Sequence, residues 1–83
     1  MKKDKQIKIT NLNLATFLYA KGQIIVGVSP IAENLKEFSF VNSIPLVELV
    51  GLYKFGDRDD ERLLVEVHRY EQARRDLLDR LKD

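Results

Sequence analysis

The side chain best suited to catalysis in this sequence is its single histidine. His68 has Glu66 and Glu71 nearby, and a histidine paired with a carboxylate can act as a general base. No serine, cysteine or second histidine is close to it in sequence, so the pair lacks a nucleophile. A solvent-facing histidine on a helix is the simpler interpretation. We therefore predict no enzymatic activity, no catalytic residue and no small-molecule substrate.

Four acidic residues precede the histidine and raise the question of a divalent cation: Asp57, Asp59, Asp60 and Glu61. Their run lacks the glycine at the sixth position and the closing glutamate of a calcium loop. Carboxylates also suit the first turn of a helix, where the free N–H groups carry partial positive charge. We interpret the run as the start of the last helix and predict no metal and no cofactor.

Basic residues support a second hypothesis, nucleic-acid binding. On a continuous last helix four arginines would project within about 40° of one another, and four lysines near the N-terminus could form a basic arm. These residues are Arg58, Arg62, Arg69 and Arg80, and Lys2, Lys3, Lys5 and Lys8. Glu66 and Asp76 lie on or beside the same helix face, so a salt-bridged solvent face is the simpler explanation of the pattern. Phe38 and Phe40 could stack on bases, although alternating phenylalanines are more typical of a core.

A third hypothesis, protein interaction, rests on Arg74. This arginine is centred on an apolar helix face, where it would either extend to water or meet an acid across an interface. The second helix is apolar over most of its circumference and needs cover on two sides. We predict a non-enzymatic interaction module, acting as a homodimer or a small adaptor, with nucleic-acid binding as the alternative. The predicted contact residues are Leu49, Leu52, Tyr53, Tyr70, Arg74, Leu77 and Leu81.

The elements that carry these residues follow from apolar periodicity and from start and stop signals. Asn11 and Ser43 are predicted N-caps of two helices, and Gly22 is the stop signal of the first. Gly27, inside a strand, predicts a bulge, a close backbone approach or a site with room only for a hydrogen. The expected order is a strand over 6–10, a helix ending at Gly22, hairpin strands over 23–29 and 35–41 joined by a loop over 30–34, and a helix from 44 to about 56. A continuous last helix from 57 to about 82 is the favoured ending. Because residues 63–67 alternate, the alternative is a third strand there, with the helix beginning only near His68.

The length predicts a single domain, and the order of these elements predicts an α+β fold in which the last two helices cover one sheet face. The 83 residues are 45% hydrophobic and 33% charged, which is typical of a soluble globular chain, and the net charge is only +1. No apolar run approaches the roughly 20 residues of a membrane span, and there is no cysteine. We expect a cytoplasmic protein with no membrane partner, and frayed residues 1–5.

The first helix resembles the opening of a family of small bacterial and archaeal proteins that form a domain of unknown function. Residues 14–22 read Leu-Ala-Thr-Phe-Leu-Tyr-Ala-Lys-Gly, similar to the family's Leu-Ala-x-Phe-Leu-x-Ala-Lys-Gly. A hairpin with an aromatic second strand follows, and Tyr70-x-x-Ala73-x-Arg75-x-Leu77 is similar to the family's last helix. The resemblance covers about residues 9–78 and implies no activity. It also implies a short strand over 62–67, although this chain lacks the family's Asp-Pro at Glu66-Val67.

Overall fold

The fold is a three-stranded antiparallel sheet with three helices on one of its faces, in a computed structural model that describes residues 5–81. Its elements are β1 (Gln6–Ile9), α1 (Leu12–Ala20), β2 (Ile25–Ala32), β3 (Leu35–Val41), α2 (Ile44–Phe55) and α3 (Val67–Leu81), with a single 3-10 turn, Glu61–Leu63, before α3. The predicted α+β class and the order of its elements are confirmed. No helix within the described range is long and apolar enough to cross a membrane.

The sheet is built around β3, which pairs antiparallel with β1 on one side and with β2 on the other. Phe38 of β3 lies between Ile9 of β1 and Val28 of β2, and Phe40 occupies the equivalent position two residues further on. Both phenylalanine side chains are fully buried against the helices. They are core residues, so the hypothesis that they stack on bases is wrong.

The most deeply buried element is α1, in which every residue from Leu14 to Leu18 is buried. Its start is the predicted one, because the Asn11 Oδ1 accepts a hydrogen bond from the backbone N–H of Leu14 at 3.0 Å. The buried Thr16 hydroxyl donates to the Leu12 carbonyl at 2.7 Å, which satisfies it within the helix. The predicted apolar face of α1 is confirmed, and the helix is covered on its other sides as well.

The β-hairpin turn is shorter than we predicted. Ala32 pairs with Leu35, so only Glu33 and Asn34 lie in the turn and Pro30 belongs to β2. A two-residue turn is the commonest hairpin connection, because its twist matches that of the flanking strands. Proline is tolerated in β2 because this strand lies at the edge of the sheet.

Gly27 lies beside an irregularity in β2, where the register shifts between Ile25 and Gly27. The bulge, one of the three explanations offered for this glycine, is therefore confirmed. A Cβ built on Gly27 would meet nothing within 4 Å, so the two steric explanations are wrong.

The predicted continuous last helix is wrong before Val67. The chain instead makes the 3-10 turn, continues through residues 64–66 without pairing to any described strand, and begins α3 only at Val67. The alternative strand over 62–67 is not formed either, whereas the late helix start near His68 that accompanied it agrees with the observed start at Val67. The Asp57 and Asp60 carboxylates accept from the backbone N–H groups of Asp59 and Arg62, at 3.0 and 2.9 Å. Such local bonds offer the backbone an alternative to helical hydrogen bonding.

Gly22 ends α1 with a φ of 93°, the only positive φ among the described residues. We expect Gly22→Ala to destabilise the fold by about 1–2 kcal/mol, because a Cβ is disfavoured in this conformation. Urea denaturation followed by circular dichroism measures the change.

The matched control is Gly27→Ala, where φ is not positive and the space for a Cβ is open. Its effect should stay below about 1 kcal/mol. Equal losses for the two variants would contradict the assigned role of Gly22.

Candidate interaction surface

One side of α2 is apolar and faces away from the rest of the protein. The side chains of Ile44, Val47 and Phe55 are 78%, 56% and 87% exposed, respectively. At about 100° per residue, these three and Gly51 fall within an arc of about 80° on the helix surface. We call these four residues the α2 stripe.

The opposite side of α2 is already covered within the monomer. Leu46 is fully buried, and Leu49 and Val50 pack against the core. Tyr53 is 39% exposed, and its ring contacts that of Phe17 in α1, with the centroids 5.4 Å apart. The α2 stripe is therefore surplus apolar surface rather than part of the core.

The contact residues predicted from sequence do not lie on the α2 stripe. Their positions range from the surface to the core: Tyr53 and Arg74 are exposed, Leu49, Leu52, Tyr70 and Leu81 are half-buried, and Leu77 is fully buried. These residues are divided between α2 and α3, which both contact α1. Leu77 has no surface to offer to a partner.

Arg74 lies on the outer side of α3 rather than at the centre of its buried face. Ala73 and Leu77 occupy the buried face, and the exposed Arg74 lies beside Leu78 and Leu81. Glu71 and Asp79 line the same shallow concavity. Arg74 is therefore an exposed cation with acidic residues of the same helix nearby. It is not a buried charge that needs a partner from another chain.

The arginines of the nucleic-acid hypothesis lie in three different segments of the chain. Arg58 lies in the turn after α2 and Arg62 in the 3-10 turn, whereas Arg69 and Arg80 are exposed on α3. The predicted common face required a continuous helix, which does not form.

The lysines of the same hypothesis are only partly described. Lys5 is exposed, and the Lys8 Nζ lies 3.7 Å from a Glu37 carboxylate oxygen. Lys2 and Lys3 lie outside the described residues.

The acidic run forms turns and an ion pair. The Arg62 guanidinium donates to both carboxylate oxygens of Asp60, with Nε–Oδ1 and Nη2–Oδ2 distances of 3.1 and 2.8 Å. These hydrogen bonds lower the pKa of Asp60 to about 2. Within residues 5–81, no group of three or more histidine, cysteine or acidic side chains is arranged to hold a metal ion.

His68 is a surface residue at the start of α3, with a side chain that is 90% exposed. The Glu66 carboxylate accepts from the backbone N–H of His68 at 2.7 Å and lies 3.2 Å from its Nδ1. Glu66 thereby binds a free N–H group of the first helical turn. This contact orients the start of the helix in open solvent, where nothing excludes water from the imidazole.

Both edges of the sheet carry features that oppose strand pairing with another chain. β1 is only four residues long and carries the exposed Lys8, while β2 contains Pro30 and two register shifts. Short strands, lysines, prolines and bulges all discourage edge-to-edge association. Association with another chain through strand pairing at these edges is therefore disfavoured.

Comparisons of this chain with protein-family models, with curated proteins and with solved structures gave no match. The family resemblance drawn from residues 14–22 stays a prediction.

The pair of Asp60 and Arg62 predicts a measurable titration. An Asp60 pKa below its usual value of 3.8 means that the carboxylate favours the folded state above about pH 4, and that this contribution is lost as the pH falls to about 2. We expect carboxyl NMR to show Asp60 titrating near pH 2, and Arg62→Gln to move this pKa back toward 3.8.

The matched control is Arg58→Gln, because Arg58 is a nearby arginine that is not among the groups lowering the pKa of Asp60. This variant should leave the Asp60 titration unchanged. An unaltered Asp60 pKa in Arg62→Gln would contradict the assigned ion pair.

Proposed function

We propose that this protein is a non-enzymatic interaction module that acts as a homodimer, and that the α2 stripe supplies the contact. The exposure of Ile44, Val47 and Phe55 on one side of a single helix carries the proposal. Single exposed apolar residues are common on soluble proteins, whereas a contiguous exposed patch is typical of a binding site.

The size of the chain supports a second copy as the partner. A domain of this length buries a limited core, and pairing adds apolar burial without lengthening the chain. A contact limited to one helix face is small compared with the interfaces of stable dimers. We therefore expect a reversible dimer with a dissociation constant in the micromolar range.

Nucleic-acid binding, the alternative from sequence, has weaker support. Arg62 is engaged with Asp60, and Lys8 lies near Glu37. The remaining described arginines of that hypothesis are divided between a turn and α3. A site that binds the phosphate backbone of a nucleic acid normally has its lysine and arginine side chains on one face of the protein.

Sedimentation velocity across a concentration series tests the proposal directly. We expect a concentration-dependent dimer for the natural sequence, and a monomer for Val47→Glu at the same concentrations. Glutamate at this position would bury an unpaired carboxylate in the contact. Circular dichroism establishes that the variant remains folded.

The matched control is Ile31→Glu, which places the same charge on a similarly exposed apolar residue of β2. This variant should dimerise as the natural sequence does. A natural sequence that stays monomeric throughout would overturn the proposal. Co-sedimentation with a short oligonucleotide, weakening as salt is added, would favour the alternative.

A further inference from the structure

We infer that two copies of α2 cross each other at Gly51, in an arrangement held in register by Glu48 of each copy and Lys54 of the other. This inference rests on the proposed homodimer and specifies its geometry. Gly51 is central in the α2 stripe, with Val47 one turn before it and Phe55 one turn after it.

Gly51 leaves a gap in the surface of α2. A Cβ built at this position would meet nothing within 4 Å, so no part of the monomer fills the space. The distance between packed helices depends on the side chains at their contact, and a glycine allows the closest approach. The backbone of a second helix therefore fits best at this point of the stripe.

The charged neighbours of the stripe are arranged symmetrically about Gly51. Glu48 lies three residues before it and Lys54 three residues after it, at about 60° on opposite flanks of the stripe. Both side chains are exposed, and neither has an ion-pair partner within 4.0 Å in the described part of the chain. Asp60 and, to a smaller extent, Glu48 raise the pKa of Arg62, so Glu48 lies within electrostatic range of that arginine.

A two-fold axis beside Gly51 makes this arrangement complementary to itself. In a symmetric dimer the same patch faces its own copy, so each contact between two different residues occurs twice. When the two helices cross at a steep angle, the flank that carries Glu48 in each copy lies against the flank that carries Lys54 in the other copy. The same operation places Val47 against its own copy and Phe55 against its own copy.

This charge pattern favours a second copy over an unrelated partner. The patch carries the acidic Glu48 on one flank and the basic Lys54 on the other. A second, identical patch is therefore complementary to it in charge. Charge pairs at the rim of an interface set orientation more than affinity. The apolar residues of the stripe therefore supply the attraction, while Glu48 and Lys54 select the crossing angle.

Cysteine cross-linking tests the crossing point. The chain contains no cysteine, so Gly51→Cys introduces a unique thiol at a position with room for it. A disulfide forms only when the two Cα atoms lie within about 4.4–6.8 Å. We expect mild oxidation, at concentrations where the natural sequence dimerises, to convert most of the Gly51→Cys chains into covalent dimers on non-reducing gels. Ser29→Cys, an exposed site on β2, should stay largely monomeric.

Charge reversal tests the ion pairs. Glu48→Lys and Lys54→Glu should each raise the dissociation constant of the dimer roughly tenfold. The double variant should restore it, because the reversed charges again face each other.

The outcomes separate this inference from the proposed function. Cross-linking specific to position 51, together with rescue in the double variant, supports the crossing. A dimer that shows neither overturns the crossing and leaves the homodimer standing. A chain that is monomeric at all concentrations overturns both.

Discussion

The burial of α1 on all of its sides is the constraint on which the rest of this structure depends. Five consecutive residues, Leu14 to Leu18, are buried, so this helix has no solvent-facing side along that stretch. A nine-residue helix does not persist alone in water, and it is stable here only because other elements enclose it. Phe38 and Phe40 of the sheet cover it on one side, and α2 and α3 contact it on others.

The two helices that cover α1 have different outer surfaces. α3 is amphipathic: Ala73 and Leu77 are buried, and its outer side carries mostly charged residues. α2 is apolar on its inner and outer sides alike, so packing against α1 satisfies only part of its surface. A partner that covers the outer side of α2 buries more apolar surface than a partner that covers the outer side of α3. This difference underlies the proposed function.

The segment between α2 and α3 is held by polar contacts as well as by Leu63 and Val65, which are half-buried against the core. The Lys21 Nζ donates to the Leu64 carbonyl at 2.7 Å and lies 5.8 Å from the centre of the Phe17 ring. The end of α1 thus fixes the chain just after the 3-10 turn. Together with the Asp60 cap, this contact accounts for a non-helical connection where the distribution of charges suggested a continuous helix.

The sequence by itself determined the features whose causes are local. Asn11 and Ser43 cap their helices, and Gly22 ends α1, because hydrogen bonding and backbone preference at these positions involve only near neighbours. The alternation of Phe38 and Phe40 placed both on the buried face of β3 for the same kind of reason. The α+β class and the order of elements followed from such signals.

Only the tertiary structure decided where α3 begins and which side of α2 remains free. The alternating pattern of residues 63–67 is compatible with a helix or a strand. In the folded chain this segment contacts α1 and α2, and residues 64–66 form neither. Helical periodicity showed that α2 is apolar nearly all round, but not that Leu49 would pack against the core and that Val47 and Phe55 would remain in solvent. The periodicity of one helix specifies its faces, whereas the choice among those faces depends on neighbours that are distant in the chain.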